Sequence, residues 1–104
     1  MAKMKHKELF KGLIRLHILH HAAEGGFYGQ WMIQELARHG YTLSPGTLYP
    51  MLHALERRGY LKSRTERLGR TFRRIYSATA LGREANRMAK VRVRELVGEL
   101  VLGK

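Results

Sequence analysis

Two groups of side chains in this 104-residue sequence could do chemistry by type and spacing. The first is His17, His20 and His21, imidazoles at i, i+3 and i+4 that could turn two nitrogens toward one metal ion from a single helical face. The sequence has no cysteine and no aspartate, so Glu24, another histidine or a second chain would have to complete the shell. No metal site and no cofactor is therefore expected, and a metal-responsive role for the trio stands only as an alternative. The second group is cationic. Arg57, Arg58, Lys62, Arg64, Arg67, Arg70, Arg73 and Arg74 crowd one short stretch in which Glu66 is the single acid. Guanidinium groups fork onto phosphate oxygens, so this stretch suits a phosphate polymer better than any neutral ligand. Catalytic readings lack parts. Ser44, Ser63 and Ser77 have no neighbouring histidine with a carboxylate to orient it, and Gly25-Gly26 is not followed by the glycines and lysine of a phosphate-cradling loop. An enzyme is not expected.

The whole chain repeats the bias of that stretch. Twenty lysines and arginines face eight acids, a formal net charge of +12, and a polyanion that releases its condensed counterions relieves the self-repulsion. An anionic membrane surface is the rival partner, but it would leave the clustered arginines without a role. Lys11, Arg15 and His17 interrupt the apolar run a secretory signal would need, and no apolar stretch reaches the roughly 18 residues of a membrane span. With no cysteine to form disulfides, the expected location is cytoplasmic, with no membrane partner.

The elements that must position these groups follow from periodicity. A first helix is expected from about Glu8 to Ala23, with Leu9, Leu13 and Leu16 on one line and Phe10, Ile14 and Ile18 on the next. A second should run from about Gly29 to Arg38, with Met32, Ile33, Leu36 and Ala37 inward, and stop at Gly40. The third follows the turn Thr42-Leu43-Ser44-Pro45-Gly46 and ends at Gly59, with Leu48, Leu52 and Leu55 inward. Its start is open. Ser44 as N-cap with Pro45 at the first helical position puts Pro50 in the interior, whereas Thr47 as cap puts Pro50 in the first turn.

Residues 60–65 and 71–76 are rich in β-branched and aromatic side chains and flank Arg67-Leu68-Gly69-Arg70, a β-hairpin with a basic tip. Thr79 should cap a last helix to about Leu102, roughly 35 Å long. Its stripe includes Leu81, Ala85, Met88, Ala89, Val93, Leu96, Val97 and Leu100, and no later segment of this sequence could cover it. Residues 1–78 are expected to form a DNA-binding unit and 79–104 a dimerisation helix, within one compact domain.

Helix, helix, tight turn, helix and basic hairpin make the winged helix-turn-helix plan: a mainly α fold with a small β-hairpin, plus a C-terminal dimerisation helix. The expected partner is double-stranded DNA, read by one cationic surface made of the third helix and the hairpin. A winged helix serving as a protein-interaction module is the alternative.

Tyr28-Gly29, the run from Leu43 to Glu56 and Gly59-Tyr60-Leu61 closely resemble the DNA-binding domain of PadR-family transcriptional regulators. Arg74, Tyr76, Thr79 and Gly82 extend the resemblance into the wing end and the last helix. It implies a compact-subfamily homodimeric repressor on an inverted-repeat operator. It also implies that Tyr28, Ser44, Gly46, Thr47, Tyr49, His53, Arg57, Arg64, Arg67, Arg70, Arg73 and Arg74 lie near DNA. Leu9, Leu13, Leu16, Met88, Val93, Leu96, Val97 and Leu100 would then line the dimer interface. The sequence departs from the family at Gln30-Trp31 and at Ala80, where an acid often follows the capping threonine. Some members stack flat aromatic ligands on a tryptophan of the last helix. This chain has its only tryptophan, Trp31, on the second helix, so a small-molecule effector remains of unspecified chemistry.

Overall fold

A computed structural model describes residues 4–104; residues 1–3 of the expected DNA-binding unit lie outside it. The chain folds in the order α1 (Lys7–Glu24), β1 (Phe27–Tyr28), α2 (Gly29–Arg38), α3 (Pro45–Arg57), β2 (Leu61–Leu68), β3 (Thr71–Ala78) and α4 (Ala80–Leu100). One antiparallel sheet in the order β1-β3-β2 joins the hairpin to the front of α2. The strand β1 was not expected. Two residues carry no periodicity, and this pair becomes a strand only because Phe27 and Tyr28 meet Tyr76 and Ile75 across the ladder.

The core lies where α1, α2, α3 and the base of the hairpin meet. Ile14, Ile18, Met32, Leu36, Leu48, Leu52, Leu61 and Tyr76 are shut off from water, and each large apolar side chain so buried contributes about 1.5–3 kcal/mol. Met51 joins them from α3. Ala37, expected inward on α2, is exposed: Met32 and Leu36 already fill that side, and Ala37 lies about 100° further round.

The start of α3 follows the first alternative. Ser44 is the N-cap residue, Pro45 opens the helix and Pro50 stands inside it. The Ser44 side chain makes no capping bond; its backbone carbonyl takes the amides of Thr47 and Leu48, each at 3.0 Å. Pro50 and Gly46 are both exposed, so water can satisfy the carbonyl that loses its partner at Pro50.

Gly69, with φ 61°, supplies the positive φ needed at the first central position of a two-residue hairpin turn. Thr79 fixes α4 to the end of α3: its hydroxyl accepts from the Gly82 amide at 3.0 Å and donates to the Gly59 carbonyl. Gly82 is needed there, because a Cβ would run into the Tyr60 carbonyl. Beyond this anchor α4 leaves Met88, Val93, Leu96, Val97 and Leu100 exposed, as α1 does Leu9 and Leu13, while Leu16 is half-buried.

Candidate nucleic-acid interface

At 100° per residue, Gly46, Pro50, His53 and Arg57 form the outermost row of α3, and all four are exposed. The hydroxyls of Ser44 and Thr47 lie 3.4 Å apart at its start. Tyr49, on the side toward the wing, is half-buried and packs against the core. Its ring lies so close to Gly29 that a Cβ on that glycine would come within 2.5 Å of the phenol oxygen. This contact locks the first residue of α2 to α3.

The wing flank of α3 is a cleft of about 620 Å³ whose lining includes Tyr28, Gly29, Trp31, Tyr49, Phe72, Arg73 and Arg74. Tyr28 donates its hydroxyl to Glu66 Oε1 at 2.7 Å, and the Arg73 guanidinium sits over its ring, 5.1 Å from the centroid. The other Glu66 oxygen takes Arg64 Nη1 at 3.4 Å. The bond to Glu66 holds the Tyr28 phenol above its ordinary pKa, so it stays a neutral donor at physiological pH.

The hairpin register qualifies the expectation of one cationic surface. Arg64 faces Ile75 and Glu66 faces Arg73 across the ladder, so Arg64 and Arg73 share a face with Tyr28. Arg67 and Arg74 lie on the other face, because successive strand residues alternate, and Arg70 occupies the turn. The wing arginines therefore divide between two faces, and the cleft beside Tyr49 gathers Arg73 and Arg74.

The opposite flank of α3 holds cations that sequence reasoning missed. Lys7, Lys11 and Arg15 of α1 join Arg58 around a cleft of about 390 Å³ whose other wall is Gly46, Thr47, Pro50 and Ala54. Their i, i+4, i+8 spacing is the available signal, and the apolar lines of α1 mask it.

The three histidines do not converge. His20 pairs with Glu24 at 3.0 Å, His21 approaches Glu35 at 3.5 Å and lies edge-on to Trp31, and His17 lies 4.9 Å from His39, ring to ring. Among the described residues no three His, Cys, Asp or Glu side chains are grouped to hold a metal ion. All three rings do lie on one helix, but each is drawn to a different neighbour.

An exposed recognition helix set against a basic hairpin, both carried on a small helical core, defines a winged helix-turn-helix protein. Residues 18–88 match the family described as transcriptional regulator PadR-like. Over 98 residues the chain is 46% identical to the transcriptional regulator Rv3488 of Mycobacterium tuberculosis, covering 94% of this chain and 92% of that protein. A PadR family transcriptional regulator from Eggerthella lenta superposes with a TM-score of 0.77 at 30% identity, over 90% of this chain and 86% of the other. A PadR-like regulator from Bacillus cereus shares the fold, with a TM-score of 0.73 at 22% identity over 93% and 99% of the two chains. The chain belongs to the PadR-like family of transcriptional regulators; it is a regulator and not an enzyme. Among the described residues no helix is long and apolar enough to cross a membrane.

Proposed function

We propose that the chain is a cytoplasmic repressor that binds double-stranded DNA as a homodimer on an inverted-repeat operator. The observation that carries this reading is the exposed outer row of α3 beside the cleft that holds Tyr28, Arg73 and Arg74. In this reading α3 enters the major groove. Of its outer row only His53 and Arg57 have side chains able to read base edges, and arginine pairs best with guanine. Ser44, Gly46, Thr47, Tyr28 and Tyr49 contact the backbone near the helix start, while Arg64, Arg67, Arg70, Arg73 and Arg74 track phosphates along the wing.

Residues 79–104 act as the dimerisation helix of a unit whose DNA-binding part is 1–78. The exposed apolar side chains of α1 and α4 support this, since leaving Leu9 75% and Leu100 70% exposed wastes surface that a second copy could cover. Twofold pairing sets two α3 helices about 34 Å apart, one turn of DNA. A small-molecule effector would act on this arrangement; its chemistry is unspecified.

Fluorescence anisotropy with duplexes selected from random DNA tests the reading. Contact with six to ten phosphates predicts an affinity loss of about 10³- to 10⁵-fold between roughly 50 and 200 mM salt. The selected sites should be palindromic, with half-sites one turn apart. A flat salt response, or a monomer at micromolar concentration, would overturn it.

A further inference from the structure

The flank of α3 that faces α1 is unexplained by a wing that lies on the other side. Lys7, Lys11, Arg15 and Arg58 stand around one cleft that opens beside Thr47 and Pro50. Lys11 has an acid within ion-pair distance, Glu8 at 2.7 Å. Among the described residues, Lys7, Arg15 and Arg58 have none. Cations gathered at the rim of a folded domain without counter-charge repel one another, and a polyanion relieves that repulsion. The groove that would receive α3 gives the geometry. A major groove is about 12 Å wide and bounded by two sugar-phosphate backbones, so a helix lying in it has one strand on each side. The wing can serve one of them. The α1 cations border Gly46, Thr47, Pro50 and Ala54, on the side of α3 turned away from Tyr49.

We infer that α1 is a second phosphate-binding wall: Lys7, Lys11 and Arg15, with Arg58, grip the backbone of the strand opposite the one the wing follows. The contact is to phosphate alone, so it adds affinity equally on every sequence. This rests on the reading of α3 as a major-groove helix.

The test uses the full-length protein and a fluorescein-labelled duplex of random sequence, with affinity measured across a salt series. Lys7→Gln/Arg15→Gln removes four cations from the homodimer, so it should lower affinity about tenfold or more near 100 mM salt and reduce the log–log salt slope by about 3.6, roughly 0.9 for each phosphate left unneutralised. A charge-matched control, Arg87→Gln/Lys104→Gln, removes two exposed cations per protomer that line neither cleft beside α3, and its slope should stay within about 0.5 of the wild type. Equal slope losses in both double variants would reduce the effect to net charge and overturn the inference, as would a wild-type slope in the α1 variant. If circular dichroism finds the double variant unfolded, the single Arg15→Gln, with an expected slope loss of about 1.8 from the two protomers, decides in its place. Failure of the wild type to bind any duplex would sink the DNA reading and this inference together; duplex binding with an unaltered α1 variant sinks the inference alone.

Discussion

The two flanks of α3 are both basic, but they are built differently. On the wing flank the cations are tied into the structure: Glu66 takes Tyr28 and Arg64, Arg73 lies on the Tyr28 ring, and Tyr49 is wedged on Gly29. On the α1 flank Lys7, Lys11 and Arg15 project from one side of a helix, and among the described residues only Lys11 of these meets an acid. A braced flank holds its donors in a fixed geometry, which suits setting the protein's register on a duplex. An unbraced flank supplies charge that adapts to wherever a phosphate falls. The difference suggests that orientation comes from the wing side and added affinity from the α1 side.

The largest expected effect breaks the braced flank. Gly29→Ala puts a methyl into the Tyr49 ring, and an overpacked contact of this kind costs about 1–3 kcal/mol. Thermal melting of the variant should show that loss, and Tyr49→Ala in the same chain should recover part of it. If Gly29→Ala melts like the wild type, the wedge is not a constraint and the contrast between flanks weakens.

Next in size is the acid at the centre of that flank. Glu66 presents a carboxylate where a DNA phosphate would otherwise meet Tyr28 and Arg64, and like charges set side by side oppose binding. Glu66→Gln should therefore raise affinity for any duplex about three- to tenfold at moderate salt. Tyr28→Phe should change it by less than about twofold in the wild type, because the hydroxyl already has a partner. Weaker binding by Glu66→Gln would mean that the brace matters more than the charge.

The α1 flank offers the opposite response to a small substitution. Gly12 lies in mid-helix, and a Cβ there meets nothing within 4 Å. Gly12→Ala should stabilise the protein by about 0.5–1 kcal/mol through lower unfolded-state entropy, seen as a higher melting temperature. A destabilised variant would mean that this part of α1 is more constrained than its open surroundings imply.

How legible these flanks were in the sequence follows from what specifies each. The four helices and the hairpin were legible because long apolar periodicities and a capping threonine repeat the same signal many times. The start of α3 was not, since Ser44-Pro45 and Thr47 offer equally good local signals and only packing of Leu48, Met51 and Leu52 chooses between them. The division of wing arginines between faces depends on register, and a one-residue shift in the turn exchanges the faces. Arg67-Leu68-Gly69-Arg70 did not declare a two-residue turn; the pairing of Leu68 with Thr71 does. Tyr28 and Glu66 stand 38 residues apart, so their bond had no local trace.

The smallest predicted effect concerns the side of α1 turned away from its cations, where it meets α2. Burial first, then the neighbouring imidazoles, lowers the pKa of His17, and burial likewise lowers that of His21, with the Glu35 charge pulling each partly back. A histidine that titrates lower in the fold than its ordinary value of about 6.5 favours the neutral ring, so the unfolded chain binds more protons as the solution is acidified. Stability from these two groups is full above pH 6.5 and is lost as the pH falls from there toward their folded values. Glu35 does not reverse this within that window. Its carboxyl, though burial opposes ionisation, is held below the ordinary carboxylate range by His39, Arg38 and His21, so it stays ionised until more acidic conditions. Melting temperature should therefore fall between pH 7.5 and about 5.5, and His17→Gln/His21→Gln should flatten the dependence. In the same interval the salt slope of a His53→Gln variant for random duplex should hold, because no imidazole is left on the outer row of α3 and the α1 cations are already fully charged. A slope that moved with the melting temperature would tie the α1 wall to the α1–α2 seam and blur the distinction between a braced flank and a free one.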